Sequence, residues 1–270
     1  MDLKPKHKVL LNLLYMMSDM TKIELGETIG VTRQTASSYV SDLENSVIHS
    51  YSDVPNPNIG NIRTFFLQVK TNPEEPEIIS NLKKIRATRF IDGIIGTHSL
   101  MVKFCVQNNV MFDKVLTRID KIISKSKFQH YRIIETLKTY KVAGFNFSQL
   151  ESKKQVIHSI KINPEYIGFT DYPIKFYVQI MPKDLSEYNA IAESILAPNE
   201  NITELYRTGQ EYGILATVRT ESIEGYKAFI ESLYRTGKIQ DSISTLVIDE
   251  KMPLTFRPFS KKFNSDGSLD

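Results

Sequence analysis

A chain of 270 residues with 41% hydrophobic and 24% charged side chains belongs with globular proteins rather than disordered ones, and it can bury two or three modest cores. Its single cysteine, Cys105, excludes an internal disulfide framework and a cysteine-based zinc site, so a reducing, cytoplasmic setting is expected. The net charge of +3 is uneven: residues 1–65 carry −1, residues 66–150 carry +7 and residues 151–270 carry −3, which marks the middle of the chain as a candidate phosphate-facing surface.

The basic and apolar start "MDLKPKHKVLLNLLYMM" is interrupted by Asn12 and Tyr15 and lacks a small-residue cleavage site, so it is expected to be a helix rather than a leader. Pro5 suits the first turn of that helix, and Val9, Leu10, Leu13, Leu14 and Met17 follow at helical spacing. Thr21 is placed to cap a second helix carrying Ile23, Leu25, Gly26 and Ile29. Gly30 supplies a turn residue that tolerates positive φ, and Thr32 caps a third helix with Ala36, Val40, Leu43 and Val47 on one face. This is the pattern of a helix-turn-helix, with a small residue at the crossing and a glycine in the turn. Anchoring the third helix on that face turns Arg33, Gln34, Ser37, Ser38 and Ser41 outward. Arginine and glutamine suit base edges, and serine hydroxyls suit phosphates or bases. Lys22, Thr32 and Thr35 complete the expected DNA-facing set.

The stretch "ELGETIGVTRQTASSYVSDLENSVI" resembles the N-terminal domain of Lrp/AsnC (leucine-responsive, feast/famine) transcriptional regulators, with Glu24, Leu25, Gly30, Val31, Leu43, Glu44, Val47 and Ile48 in step. The resemblance implies a winged helix-turn-helix that binds double-stranded DNA. The chain departs from the family in the second half of the third helix, where Ser38, Tyr39, Ser41 and Asp42 replace the usual basic residues. With a charge of −1 over residues 1–65, a small electrostatic share of DNA affinity is expected from this region alone.

The remainder is a repeat. "VIHS" occurs at Val47 to Ser50 and again at Val156 to Ser159, 109 residues later. After a turn-rich connector around Pro55, Pro57 and Gly60, residues 62–144 read as strand, helix, two strands joined at Gly96, helix and strand. Residues 174–251 read in the same order. Gly60, Gln68 and Gly96 match Gly168, Gln179 and Gly209 at offsets of 108, 111 and 113. The order β-α-β-β-α-β is that of the ferredoxin-like split βαβ unit.

Both units resemble the RAM domain that follows the DNA-binding domain in Lrp/AsnC proteins. The segment "RTGQEYGILATV" is similar to the turn that lines an amino-acid effector pocket in the family. The resemblance therefore assigns Gly209, Glu211, Tyr212 and Gly213 to effector binding, with Gly213 standing where the family commonly has Asp. In the first unit His98 and Ser99 follow the matching Gly96. The expected fold class is α+β: a winged helix-turn-helix with its connector over 1–61, and RAM-like units over 62–144 and 174–251. Residues 145–173 read as a linker and 252–270 as a frayed tail. Family members usually carry one RAM domain, and their sheets pair between subunits. Here the two units are expected to pair within one chain or between chains, in a homodimer or larger even-numbered oligomer.

No phosphate-binding glycine loop is present, and the five histidines show no metal-ligand spacing. No catalytic residue, metal or cofactor is expected. The reading is a transcriptional regulator tuned by an amino-acid-like effector. Two alternatives stand beside it: an enzyme of the same architecture, the siroheme decarboxylases, and a ligand-sensing or assembly module without DNA binding.

Overall fold

The computed structural model describes residues 3–58, 62–148, 156–163 and 172–252. Gly60 and Gly168 lie outside these, as does the expected tail beyond Met252. In chain order the elements begin with α1 (Pro5–Met16), α2 (Lys22–Thr28), α3 (Arg33–Ser46), β1 (Ile48–Pro55), β2 (Arg63–Lys70), α4 (Pro76–Lys83), β3 (Thr88–Ile94) and β4 (Leu100–Val106). There follow α5 (Asn109–Ile123), β5 (His130–Val142), β6 (Phe145–Asn146), β7 (Val156–Ile162), β8 (Ile174–Pro182), α6 (Tyr188–Ile191), β9 (Ile202–Thr208), β10 (Ile214–Thr220), α7 (Ile223–Arg235) and β11 (Ile239–Met252). The protein is a mixed α+β chain. It divides into two compact units, one holding α1–α3, β1 and β7, the other holding the remaining elements.

In the first unit local chemistry sets the helix ends. Pro5 opens α1, and Thr21 and Glu24 form a reciprocal cap on α2: Glu24 N donates to Thr21 Oγ1 at 3.3 Å and Thr21 N donates to Glu24 Oε2 at 2.7 Å. Gly30 adopts φ +64° in the turn before α3. Gly26 is required by proximity, because a Cβ there would stand 2.8 Å from the Val31 carbonyl oxygen. Leu10, Leu14, Leu25, Ala36, Val40 and Leu43 are almost wholly buried, whereas Met17 and Ile23, grouped with the apolar positions by spacing, stand exposed.

The two VIHS segments are partners. β1 and β7 run antiparallel, with Tyr51 opposite Ile160 and Asp53 opposite His158. Tyr51 and Ile160 are the same position in the two copies, 109 residues apart, so the ribbon has a local twofold relation about that pair. The stretch 145–173, expected as a linker, therefore contains β6 and β7, and β7 completes the sheet of the N-terminal unit.

In the second unit each half follows β-α-β-β-α-β. The strand order is β5-β2-β4-β3 in the first half and β11-β8-β10-β9 in the second. One face of each sheet carries its helices: Phe65, Leu67, Val102 and Phe104 pack with α4 and α5, and Val178, Ile191, Ala216 and Phe229 form the matching core. The opposite faces meet each other. β5 pairs with β2 over His130–Glu135 and then with β9 over Thr136–Lys141, while β11 pairs with β8 up to Leu246 and then with β3 from Val247. These crossings close eight strands into one ring, and β6 adds to β5. The two halves thus pair within one chain, not as separate open-faced domains. The physical cause is edge and face satisfaction: a one-sided sheet needs cover on its bare face, and a closed ring leaves no open strand edge.

Candidate functional site

Three regions gather the residues singled out by sequence. On α3, Ala36, Val40 and Leu43 lock one face into the core. Arg33, Gln34, Ser37, Ser38 and Ser41 are exposed together on the other. Thr32 and Thr35 are spent on the helix start: Thr35 N donates to Thr32 Oγ1 at 3.2 Å, and the two hydroxyls stand 3.0 Å apart. Lys22, half-exposed, opens α2. The acids of α3 have partners inside this unit. Asp42 meets His7 at 3.5 Å, and Glu44 accepts from the Tyr51 hydroxyl at 2.6 Å. His7 also lies against the Tyr39 ring. The surface at the start of α3 is therefore cationic and polar, with its acids drawn aside.

At the turn between β9 and β10, Gly213 has φ +66°, and a Cβ there would strike the Tyr188 ring and the Arg207 guanidinium. Arg207 lies 3.6 Å from the centroid of Tyr188 and donates from Nη1 to the carbonyls of Thr208 at 2.8 Å and Gly213 at 2.6 Å. The turn's amides are also used: Gly209 N donates to Glu135 O and Gly213 N donates to Gln210 O. Glu211 is exposed, and the Tyr212 hydroxyl donates to Asp241 at 2.6 Å, which pushes that phenol up to about 12. The chain's own arginine and tyrosine fill the place where the resemblance puts a ligand.

The matching turn of the first half is different. Ser99 Oγ accepts from Thr71 N at 2.8 Å and so ties β4 to the end of β2. His98 stacks on His130 with ring centroids 5.4 Å apart, and its Nε2 is buried without a hydrogen-bond partner. Burial lowers the pKa of His98, and the positive surroundings of His130, Arg132 and Lys70 lower it further. Arg132 also reaches Gln210 of the β9–β10 turn. Four cationic or cation-capable side chains thus converge beside the Gly96 turn, an arrangement suited to a carboxylate or other anion. Only His98 was singled out by sequence. Lys70, His130 and Arg132 sit 28 or more residues away along the chain, and no local pattern marks them.

Among the described residues no group of three His, Cys, Asp or Glu side chains is placed to hold a metal ion, and no helix is long and apolar enough to cross a membrane.

No protein-family model matches the chain, and no curated protein sequence does. Among solved structures, the siroheme decarboxylase NirDL superposes with a TM-score of 0.58 at 10% identity, covering 98% of this chain and 96% of that one. The same enzyme in co-complex with an iron-uroporphyrin III analogue gives a TM-score of 0.57 over the same shares, again at 10% identity. At that identity the likeness is one of fold, and it spans both units. The regulator AsnC of E. coli aligns over 51% of this chain and 94% of its own length, at 15% identity and a TM-score of 0.43, a likeness too weak to bear on fold or function.

Proposed function

We propose that the chain is a sequence-specific DNA-binding transcriptional regulator of Lrp/AsnC type. In this reading α2 and α3 form the helix-turn-helix, the β1–β7 ribbon serves as the wing, and the two halves of the barrel are RAM-like units. The observation that carries it is the exposed row Arg33, Gln34, Ser37, Ser38 and Ser41 on a helix whose other face is locked in the core. Each chain has one such helix, so a palindromic site needs two chains. An amino-acid-like effector would dock its carboxylate at the His98 turn, since Arg207 and Tyr188 already occupy the Gly213 turn. A gel-shift series with genomic fragments at graded salt tests the reading. A subset of fragments should bind above the bulk at low salt, with a shallow salt slope because few Lys and Arg side chains face the site. Arg33→Ala should weaken binding throughout, and Gln34→Ala should relax base preference by about 1–3 kcal/mol at one position. If the folded protein prefers no fragment, the reading fails.

A second reading, a decarboxylase acting on a tetrapyrrole carboxylate, is favoured by the whole-chain likeness to NirDL and by the cluster of His98, His130, Arg132 and Lys70. Titrating the protein with an iron-uroporphyrin separates the two. The second reading expects a saturable change in the porphyrin absorption band that His98→Ala and His130→Ala abolish, and the first expects none.

A further inference from the structure

The inner faces of the barrel carry charge, and the charge differs between the halves. The strand registers define which positions correspond. Phe66 and Gln68 on β2 face Lys103 and Met101 on β4, while Tyr177 and Gln179 on β8 face Thr217 and Leu215 on β10. Lys103 and Met101 in turn face Phe90 and Asp92 on β3, and Thr217 and Leu215 face Glu204 and Tyr206 on β9. Lys103 therefore corresponds to Thr217, Phe90 to Glu204, Asp92 to Tyr206, and Thr64 to Lys175. Position for position, the halves are unlike wherever one of them is charged.

Those unlike residues meet across the barrel. Lys103 Nζ lies 2.6 Å from Glu204 Oε1 and donates to the Tyr206 hydroxyl at 2.6 Å. Lys175 Nζ lies 2.6 Å from Asp92 Oδ2, to which the Tyr177 hydroxyl also donates. All four charged side chains are at most 4% exposed. Both pairs join the first half to the second. In a barrel built from two first halves, the corresponding contacts would set Lys103 against Phe90 and Asp92 against Thr64 and Phe66. Two second halves would set Glu204 against Thr217 and Lys175 against Tyr206. Each like-with-like barrel would bury charges whose partners are missing, an arrangement far less favourable than a matched pair.

We propose that these two buried ion pairs act as a pairing code: they admit a first half only with a second half, and exclude barrels made from identical halves of two chains. Such a code answers a hazard specific to a duplicated chain, in which two similar sheet faces compete for the same cover. It also sends assembly between chains to other surfaces, since the inner faces are reserved.

Two experiments on the full chain decide it. In the first, Lys103→Glu and Glu204→Lys each place like charges in contact and should lower the melting temperature by on the order of 10 °C. The double exchange should recover at least half of the larger loss. No recovery overturns the proposal. The second reads selection rather than stability, using Cys105, the sole cysteine, which shares a strand face with Lys103 and Met101 and contacts Thr64. Two Cys105 side chains line one barrel only when two first halves pair. The parent and a charge-free variant (K103M, E204M, D92N and K175M combined) are unfolded, then refolded at rising protein concentration with a bis-maleimide cross-linker. The charge-free variant should give several-fold more covalent dimer, increasing with concentration. Equal yields, even with recovery in the exchange, would make the pairs stabilisers without selectivity and overturn the proposal. Should the charge-free variant fail to fold, the charge exchange alone decides.

Discussion

Glu250 near the end of β11 shows how one side chain ties three strands and sets an acid limit. It accepts from Arg219 Nη2 at 2.6 Å and 2.7 Å and lies 3.4 Å from Lys175 Nζ. Burial pushes its carboxyl up, but the charges of Lys175 and Arg219 outweigh burial and hold it below the ordinary 4.5. A depressed folded pKa gives stability that is present above 4.5 and lost as pH falls through the lowered value. Asp92 has the opposite sign. Burial holds its carboxyl above 3.8 despite Lys175, so its contribution is greatest in acid and declines as pH rises. Glu250→Gln is expected to flatten the loss of stability below pH 4.5 while lowering stability at neutral pH, as read from denaturant melts across that range. An unchanged acid limb would mean that Glu250 is not the group responsible. At this scale the sequence was partly informative. Arg33, Gln34 and the α3 serines were legible because helical spacing alone determines which face they share. Lys70, His130 and Arg132 were not, because their convergence on His98 comes from strand pairing.

Among the elements, α3 depends most directly on a single cap. Thr32 closes its first turn through the Thr35 amide, immediately after the Gly30 turn and beside the close approach at Gly26. Thr32→Ala should reduce the stability of the N-terminal unit by about 1 kcal/mol. It should also fray the turn that carries Arg33 and Gln34, so a thermal melt and a gel shift should fall together. Loss of binding with an unchanged melt would instead make the Thr32 hydroxyl a direct contact. The caps, the turn glycine and the apolar faces were readable because each depends on residues within a few positions of one another. The strands β5 and β11 were readable as strands but not as bridges. At 13 and 14 residues they exceed the usual strand of about 5–6, and the extra length is what crosses to the other half.

For the whole molecule, duplication and closure belong to different levels of information. The repeated VIHS, the matched Gln68 and Gln179, and the recurring β-α-β-β-α-β order are local patterns, so the amino-acid sequence by itself determined that two similar units follow one helical head. It also determined which face of each strand is apolar, since side chains alternate along a strand. Only the tertiary structure decided that the two VIHS strands pair with each other, that β5 and β11 each pass into the opposite sheet, and that Lys103 meets Glu204 while Lys175 meets Asp92. The physical reason is range. Periodicity and capping act over one or two turns, whereas a partner 101 residues away is selected by which bare face and open edge can cover another, and no short window of sequence contains both.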